Sequence, residues 1–221
     1  MTRATLGRCL VAEAVGTMLL LTAVVGSGIM AERLAGGNVA IALLANAIAT
    51  GGALVALILT FGPISGAHLN PAVTLALALR GDIRLRAGLF YIAAQMVGAV
   101  AGVWLAHLMF SLPILQTSAH ARTSVGELVG EFVATFGLLG LILSTSRHTP
   151  AAVPYGVAAY ITGAYWFTSS TSFANPAVTF ARSLTNTFAG IQSGGVPGFI
   201  AAQLVGAAAA TVLFAWLARE A

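Results

Sequence analysis

Long apolar stretches, separated by short polar or glycine-rich segments, make up most of this sequence. Six of them are long enough to cross a hydrocarbon core, which takes about 20 residues. These predicted spans cover approximately residues 8–29, 38–61, 87–110, 126–146, 151–168 and 197–217. The pattern therefore predicts an all-α membrane protein with six transmembrane helices.

Two further apolar segments, 71–80 and 176–184, are too short to span, and each opens with a proline. They lie between the second and third spans and between the fifth and sixth. A short helix at membrane depth is tolerated only where it is buried in protein or lines an aqueous cavity. We therefore expect two re-entrant half-helices, and their matched positions in the two halves indicate the permeation site.

The chain also contains an internal repeat. Three segments recur in the same order: 12–17 with 130–135, 70–74 with 175–179, and 93–99 with 201–207. A unit of three spans must be inverted relative to its copy, so the two half-helices enter from opposite faces and meet near the midplane. We predict one channel domain over residues 1–221, with a first repeat of about 1–110 and a second of about 124–221.

Composition supports this class of protein. Hydrophobic residues form 58% of the chain and charged residues 7%, far below the roughly 25% charged residues of soluble domains, so the lipid bilayer is the expected environment. The net charge of +4 is spread over separate loops, which argues against nucleic acid. Cys9 is the single cysteine and no Cys/His spacing suggests ligands, so we expect no disulfide, metal or other cofactor.

Arginines are distributed unevenly between the predicted loops. One side would carry Arg3, Arg8, Arg80, Arg84, Arg86, Arg147 and Arg219, and the other Arg33, Arg122 and Arg182. The positive-inside rule then predicts a multi-pass protein of the cell inner (plasma) membrane with both termini cytoplasmic. The first apolar run is interpreted as a retained span and not as a cleaved signal peptide.

Each half-helix begins with the same three residues. The two motifs are Asn70, Pro71 and Ala72, and Asn175, Pro176 and Ala177. Proline suits the first helical position, and asparagine is a strong N-cap. If two helix N-termini meet head to head, their positive dipole ends oppose a cation, whereas a neutral solute can accept hydrogen bonds from the two asparagine amides.

These residues, with the segments 65–74 and 173–178 and the two Glu-x-x-x-Thr segments, resemble the aquaporin and aquaglyceroporin (major intrinsic protein) superfamily. The resemblance covers nearly the whole chain. It implies six transmembrane helices plus two re-entrant half-helices, a homotetramer with one pore per protomer, and a passive channel instead of an enzyme.

Glu13 and Glu131 are ionisable groups inside predicted spans, which marks them as structural or functional. A proton relay is conceivable, but their matching places in the repeat favour scaffolding. In the resembled family such glutamates accept hydrogen bonds from the loop that carries each half-helix. His68 stands beside the first motif, where the resemblance implies a pore-side histidine; local loop structure and gating remain alternative roles.

The resemblance also implies a selectivity filter of four positions, counted from the two asparagines: Thr50, Gly163, Ser172 and Val178. Water channels place Phe and His at the first two, and most relatives place Arg at the last; this chain has none of these. Without aromatic bulk and a fixed cation, the filter should be wide and permissive for neutral solutes larger than water.

Val178 together with the segment 181–190 resembles a bacterial subgroup found in arsenic-resistance gene clusters. That resemblance implies passage of trivalent metalloid hydroxides, chiefly arsenous acid, along with glycerol and water. The alternative is a general water or glycerol channel without a metalloid role. Arg182 shares a helix face with Val178, so it either reaches into the outer vestibule or lies at the membrane interface.

Overall fold

The computed structural model describes residues 4–218. Arg3 and Arg219, two arginines of the orientation count, lie outside the described residues. The described chain contains eight α-helices, with bounds α1 Leu6–Leu34, α2 Val39–Ser65, α3 Pro71–Leu79, α4 Leu85–Met109, α5 Val125–His148, α6 Val153–Phe167, α7 Pro176–Arg182 and α8 Val196–Leu217.

Five of the predicted spans are long, apolar helices: α1, α2, α4, α5 and α8. The fifth predicted span differs, because α6 has only 15 residues and follows a three-residue 3-10 turn, Pro150–Ala152. Pro150 and Pro154 lie in the first turns of these two pieces, where a missing N–H is tolerated. The helix therefore starts in two steps, and it ends where Thr168 becomes extended.

The two half-helices, α3 and α7, have the predicted starts and end one or two residues earlier than predicted. Their N-caps are nearly identical, with φ/ψ of −157°/120° at Asn70 and −158°/114° at Asn175. Each asparagine Oδ1 accepts from the backbone N–H two residues on, at 2.9 Å from Ala72 and 3.0 Å from Ala177. End to end, the two helices cover roughly 24 Å, close to the about 30 Å of a hydrocarbon core.

Helix packing follows the repeat. In the first half α1 packs against α2 and α4, and in the second half α5 packs against α6 and α8. Each half-helix contacts helices of both repeats, because both α3 and α7 pack on α4 and α8. The half-helices are therefore held by the whole bundle, at the boundary between the two repeats.

The outside of the bundle is apolar. Large hydrophobic side chains are exposed along the spans, among them Val39, Ile48, Val97, Val133 and Val212. In a long-helix bundle this surface is expected to face lipid, which has no water to satisfy polar groups.

Candidate functional site

A cavity of about 460 Å³ extends along both half-helices. Its walls include Asn70 and Asn175, with Val73 and Leu77 of α3 and Val178 of α7. One end, here the Arg80 end, is lined by Arg80, Asp82, Ser146 and Arg147; the other, the Arg182 end, is lined by Thr50, Tyr165, Ser172, Phe173 and Arg182. Because α3 and α7 point in opposite directions from the two asparagines, the cavity extends on both sides of the asparagine pair.

The two Asn-Pro-Ala motifs are bonded to each other. Asn70 Nδ2 donates to the Ala174 carbonyl and Asn175 Nδ2 donates to the Leu69 carbonyl, both at 2.8 Å. This reciprocal pair joins the N-termini of α3 and α7 head to head. Each amide nitrogen carries a second N–H, and both asparagines line the cavity, so a donor from each remains available to a solute.

Glu13 holds the loop that leads into α3. The carboxylate is fully buried, and its Oε1 accepts from Ser65 Oγ at 2.6 Å and from the His68 N–H at 2.9 Å. Its Oε2 accepts from the Leu69 N–H and from Gln95 Nε2, both at 2.7 Å. All its partners are donors and none is a titratable acid or base, an arrangement that suits scaffolding.

Glu131 does the same for the loop that leads into α7. It is also fully buried and accepts from the Phe173 and Ala174 N–H groups, both at 2.8 Å, and from Gln203 Nε2 at 2.5 Å. Gln95 and Gln203 lie at matching places in the repeated segments 93–99 and 201–207. Sequence reasoning noted that repeat but assigned the glutamines no role.

Each loop before an asparagine contains residues with a left-handed backbone conformation. In the first, Ala67 and Leu69 are left-handed, with φ of 46° and 48°; in the second, Ser172 and Ala174 have φ of 49° and 47°. For non-glycine residues this costs of order 1–3 kcal/mol each, so the glutamate bonds must over-determine the shape. The backbone N–H groups of His68, Leu69, Phe173 and Ala174 are bonded to the two glutamates. Loop residues 66–69 and 172–174 form part of the cavity wall.

His68 lies on the cavity wall as predicted from the resemblance. Its Nδ1 is 3.1 Å from Thr74 Oγ1, and its ring centroid lies 5.2 Å from that of Tyr91. The Tyr91 hydroxyl in turn donates to the Ser65 carbonyl at 3.0 Å. The imidazole is therefore fixed by its neighbours, which fits a structural role in the loop while leaving one face on the cavity.

Three of the four predicted filter residues meet at the Arg182 end. Thr50, Ser172 and Val178 are buried and line the cavity there. Gly163 is not brought to this wall: it is exposed, and a side chain added there would meet only the Phe167 ring, at 3.8 Å. Tyr165 takes its place, with its hydroxyl 3.2 Å from Thr50 Oγ1.

Arg182 also belongs to this end of the cavity. It is 2% exposed and lines the cavity, so the structure places it inside the bundle and not at the lipid interface. Its guanidinium carbon lies 3.4 Å from the centroid of the Phe173 ring, and its Nε donates to the Ala189 carbonyl. Sequence spacing left an inward and an interfacial Arg182 as alternatives and gave no sign of the stacking ring.

Arg122, from the segment between α4 and α5, approaches the same ring. Its guanidinium carbon is 5.3 Å from the Phe173 centroid, and it donates to the Gly190 and Ser170 carbonyls at 3.1 Å each. Burial lowers the pKa of the Arg122 guanidinium, while Glu127 and Glu131 act in the opposite direction. An arginine remains protonated at neutral pH, so two cations share one aromatic ring.

Several known proteins are similar to this chain in sequence. The model of the family described as major intrinsic protein matches residues 1–168. Aquaglyceroporin AqpS of Rhizobium meliloti (strain 1021) is 55% identical over 214 residues, covering 97% of this chain and 91% of its own. Probable aquaporin TIP2-2 of Oryza sativa subsp. japonica is 33% identical over 190 residues, covering 80% of this chain and 75% of its own.

A solved structure supports the fold. The X-ray structure of the aquaglyceroporin from Plasmodium falciparum aligns with a TM-score of 0.73 and covers 96% of this chain and 95% of its own, at 20% sequence identity. The fold and the head-to-head half-helices define a multi-pass membrane channel of the aquaporin fold. The chain belongs to the major intrinsic protein family, and it is an aquaglyceroporin-like channel and not an enzyme.

Proposed function

We propose that small uncharged solutes cross the membrane passively along this cavity, through a wide filter at its Arg182 end. The observation that carries the proposal is that three small side chains, Thr50, Ser172 and Val178, line the cavity at that end. Tyr165 supplies one hydroxyl to the same wall. These side chains offer hydrogen bonds on one side and apolar surface on the other, which suits hydroxylated neutral molecules.

The asparagine pair would discriminate against charge. Asn70 and Asn175 cap two helices whose positive dipole ends face the middle of the cavity, and their remaining N–H groups can donate to a passing oxygen. A neutral solute replaces its water contacts there, whereas a cation meets an unfavourable potential. This role follows from the head-to-head geometry of the two N-caps.

We assign arsenous acid and related metalloid hydroxides, glycerol and water as the permeating solutes. The support is that Thr50 and Val178 stand where the water channels of the resembled family carry Phe and Arg, together with the relative whose name is aquaglyceroporin. Arsenous acid is neutral at physiological pH and comparable to glycerol in size, so one wide lumen serves both. A general water or glycerol channel without a metalloid role is the second candidate.

The proposed assembly is a homotetramer in the inner membrane with both termini cytoplasmic. Within the described residues, Arg8, Arg80, Arg84, Arg86 and Arg147 lie on one side of the bundle and Arg33, Arg122 and Arg182 on the other. This bias supports the orientation through the positive-inside rule. The tetramer is proposed from the family resemblance.

Narrowing the filter by mutation should show which class of solute the channel conducts. In proteoliposomes, stopped-flow light scattering is expected to show entry of glycerol and arsenous acid, and Val178→Arg should slow both by about tenfold or more, a barrier increase of roughly 1.4 kcal/mol. The reason is that a long cationic side chain would fill the lumen beside Thr50 and Ser172. Water, which needs less room, should be slowed less.

The matched control is Leu34→Arg, which adds the same charge at an exposed position at the end of α1 and should leave all three fluxes unchanged. Fast water flux with glycerol and arsenous acid both excluded from the wild-type channel would refute the wide filter. Glycerol entry without arsenous acid entry would favour the second candidate.

Tyr165 and Gly163 make a second, independent test of which α6 residue lines the filter. Tyr165→Ala removes a ring from the cavity wall. It is expected to raise permeability to a four-carbon polyol several-fold, which corresponds to a barrier lowered by about 1 kcal/mol. Gly163→Ala adds a methyl away from the cavity and should change nothing. Relative swelling rates in glycerol and erythritol give the readout; a larger effect at Gly163 than at Tyr165 would contradict this filter geometry.

A further inference from the structure

Arg182 is a buried cation without a salt-bridge partner among the described residues. It ends α7, is 2% exposed and lines the cavity. Within residues 4–218 the one salt bridge joins Arg80 and Asp82 at the opposite end of the cavity, so no described carboxylate lies within salt-bridge distance of Arg182. An unpaired charge at membrane depth is costly and is retained mainly where it lines a water-filled path.

Most of the hydrogen-bonding capacity of Arg182 is unused by the protein. A guanidinium has five N–H donors, and the described residues accept only the one on Nε, through the Ala189 carbonyl. Neither terminal nitrogen of Arg182 is fully buried without a hydrogen-bond partner. Both are therefore exposed to the cavity, where water or a permeating solute can accept from them.

The position of this charge complements the filter. Arg182 follows Val178 by four residues, so its Cα lies one turn, about 6 Å, further along α7. Helical side chains lean back toward the N-terminus of their helix, which directs the guanidinium toward the level of Val178. The resembled family carries its filter cation at that earlier position, and here valine stands there.

Phe173 and Arg122 hold the guanidinium in place. Phe173 packs edge-on against Phe199, with centroids 5.2 Å apart, and its backbone N–H is bonded to Glu131. Arg122 lies near the same ring and bonds the Gly190 carbonyl, next to the residue that accepts from Arg182. Arg122 is not part of the cavity wall, so it makes no direct contact with a solute there.

We propose that Arg182, stacked on Phe173, is the specificity-determining cation of this channel, and that Arg122 is its positioning residue. This inference rests on the proposed function and names the group that screens charge within it. Arg182 raises the barrier for cations at the Arg182 end and donates to the oxygens of neutral solutes. The lumen can therefore be wide without becoming a cation pathway.

Urea and guanidinium provide a matched pair of solutes, since they are similar in size and shape but differ in charge. Uptake of both, radiolabelled, is measured in the same proteoliposomes, with internal potassium and valinomycin to balance charge. The wild-type channel should admit urea and exclude guanidinium. Arg182→Met should raise guanidinium uptake by about tenfold or more while urea uptake stays within about twofold.

Further variants separate charge from placement. Arg182→Lys keeps the charge but loses the planar stack, and Phe173→Leu removes the ring, so both should raise the guanidinium-to-urea ratio by less than Arg182→Met. Arg122→Met should also raise it, with partial rescue in Arg122→Lys. The control is Arg33→Met, which removes another arginine near a phenylalanine, 5.2 Å from the Phe110 centroid and outside the cavity, and should leave the ratio unchanged.

The outcomes are distinguishable. A wild-type ratio in Arg182→Met and Phe173→Leu, with urea uptake intact, would overturn this inference and leave charge exclusion to the asparagine pair. An Arg122→Met ratio equal to wild type would remove the positioning role alone. Wild-type liposomes no more permeable to urea, glycerol or arsenous acid than empty ones would overturn the proposed function itself, and this inference with it.

Discussion

Replacing Glu13 with glutamine is expected to lower the free energy of unfolding by roughly 1–6 kcal/mol, because two buried donors lose their acceptor at about 1–3 kcal/mol each unless the side-chain donor of the two turns to accept instead. Each carboxylate oxygen accepts two hydrogen bonds, so the new NH₂ group displaces two of them in either orientation. It would also face other donors. The loop residues 66–69 would then lose the contacts that maintain their left-handed turns.

Glu131→Gln should be milder. Its Oε1 accepts a single bond, from the Phe173 N–H, so an amide turned that way leaves only one donor unpaired and costs about 1–3 kcal/mol. Thermal unfolding in detergent, followed by fluorescence of the three tryptophans, should show a decrease in Tm on the order of 10 °C for Glu13→Gln and a smaller one for Glu131→Gln.

Glu32→Gln serves as the control for both glutamates, since Glu32 is exposed at the end of α1 and accepts no hydrogen bond from the described residues. It should unfold like the wild-type protein. Equal stability of Glu13→Gln and Glu32→Gln would show that the loop holds its shape without the carboxylate. A proton relay, by contrast, predicts unchanged stability with altered proton flux.

The parts of the site that sequence could predict are those set by local chemistry or by the repeat. Asn-Pro fixes a helix start wherever it occurs, because the proline lacks a donor and the asparagine caps the next ones. Glu13 and Glu131 could be identified because an ionisable residue inside an apolar span is energetically costly and therefore marks a structural or functional role. Their bonds to the two half-helix loops suit the scaffolding interpretation, which the glutamine variants above would test against a relay.

The filter wall could not be predicted in full, because it depends on which helix faces meet in the fold and not on spacing along the chain. Counting back from Asn175 led to Gly163, but the path of residues 168–174 brings a different face of α6 to the cavity. Two residues along a helix correspond to a rotation of about 200°, so Gly163 and Tyr165 point in nearly opposite directions. Phe173 and Arg122 were missed for a related reason: their meeting depends on the fold of two loops far apart in the chain.

Gly98 is where the second large loss of stability is expected. A Cβ built at Gly98 would overlap the Ala14 carbonyl and lie 2.9 Å from its carbon and 3.1 Å from its Cα. Backbone atoms cannot move aside as a side chain can, so Gly98→Leu should separate α1 from α4 and prevent recovery of folded protein. Gly98→Ala should be destabilising by about 1–3 kcal/mol, despite the gain of about 0.5–1 kcal/mol that alanine brings in a helix.

Gly206 occupies the equivalent place in the second repeat, where an added Cβ would lie 2.5 Å from the Phe132 carbonyl oxygen and 3.2 Å from the Phe136 nitrogen. Gly206→Ala should therefore resemble Gly98→Ala in size-exclusion profile and Tm. Gly52→Ala is the matched control, because nothing lies within 4 Å of its Cβ position, and helix propensity alone should make it neutral or slightly stabilising. If all three alanine variants unfolded alike, close helix approach would not be what these two glycines provide. A loss confined to Gly98 and Gly206 would show that both repeats are closed by the same contact, a glycine Cα against the backbone of the helix that carries the buried glutamate.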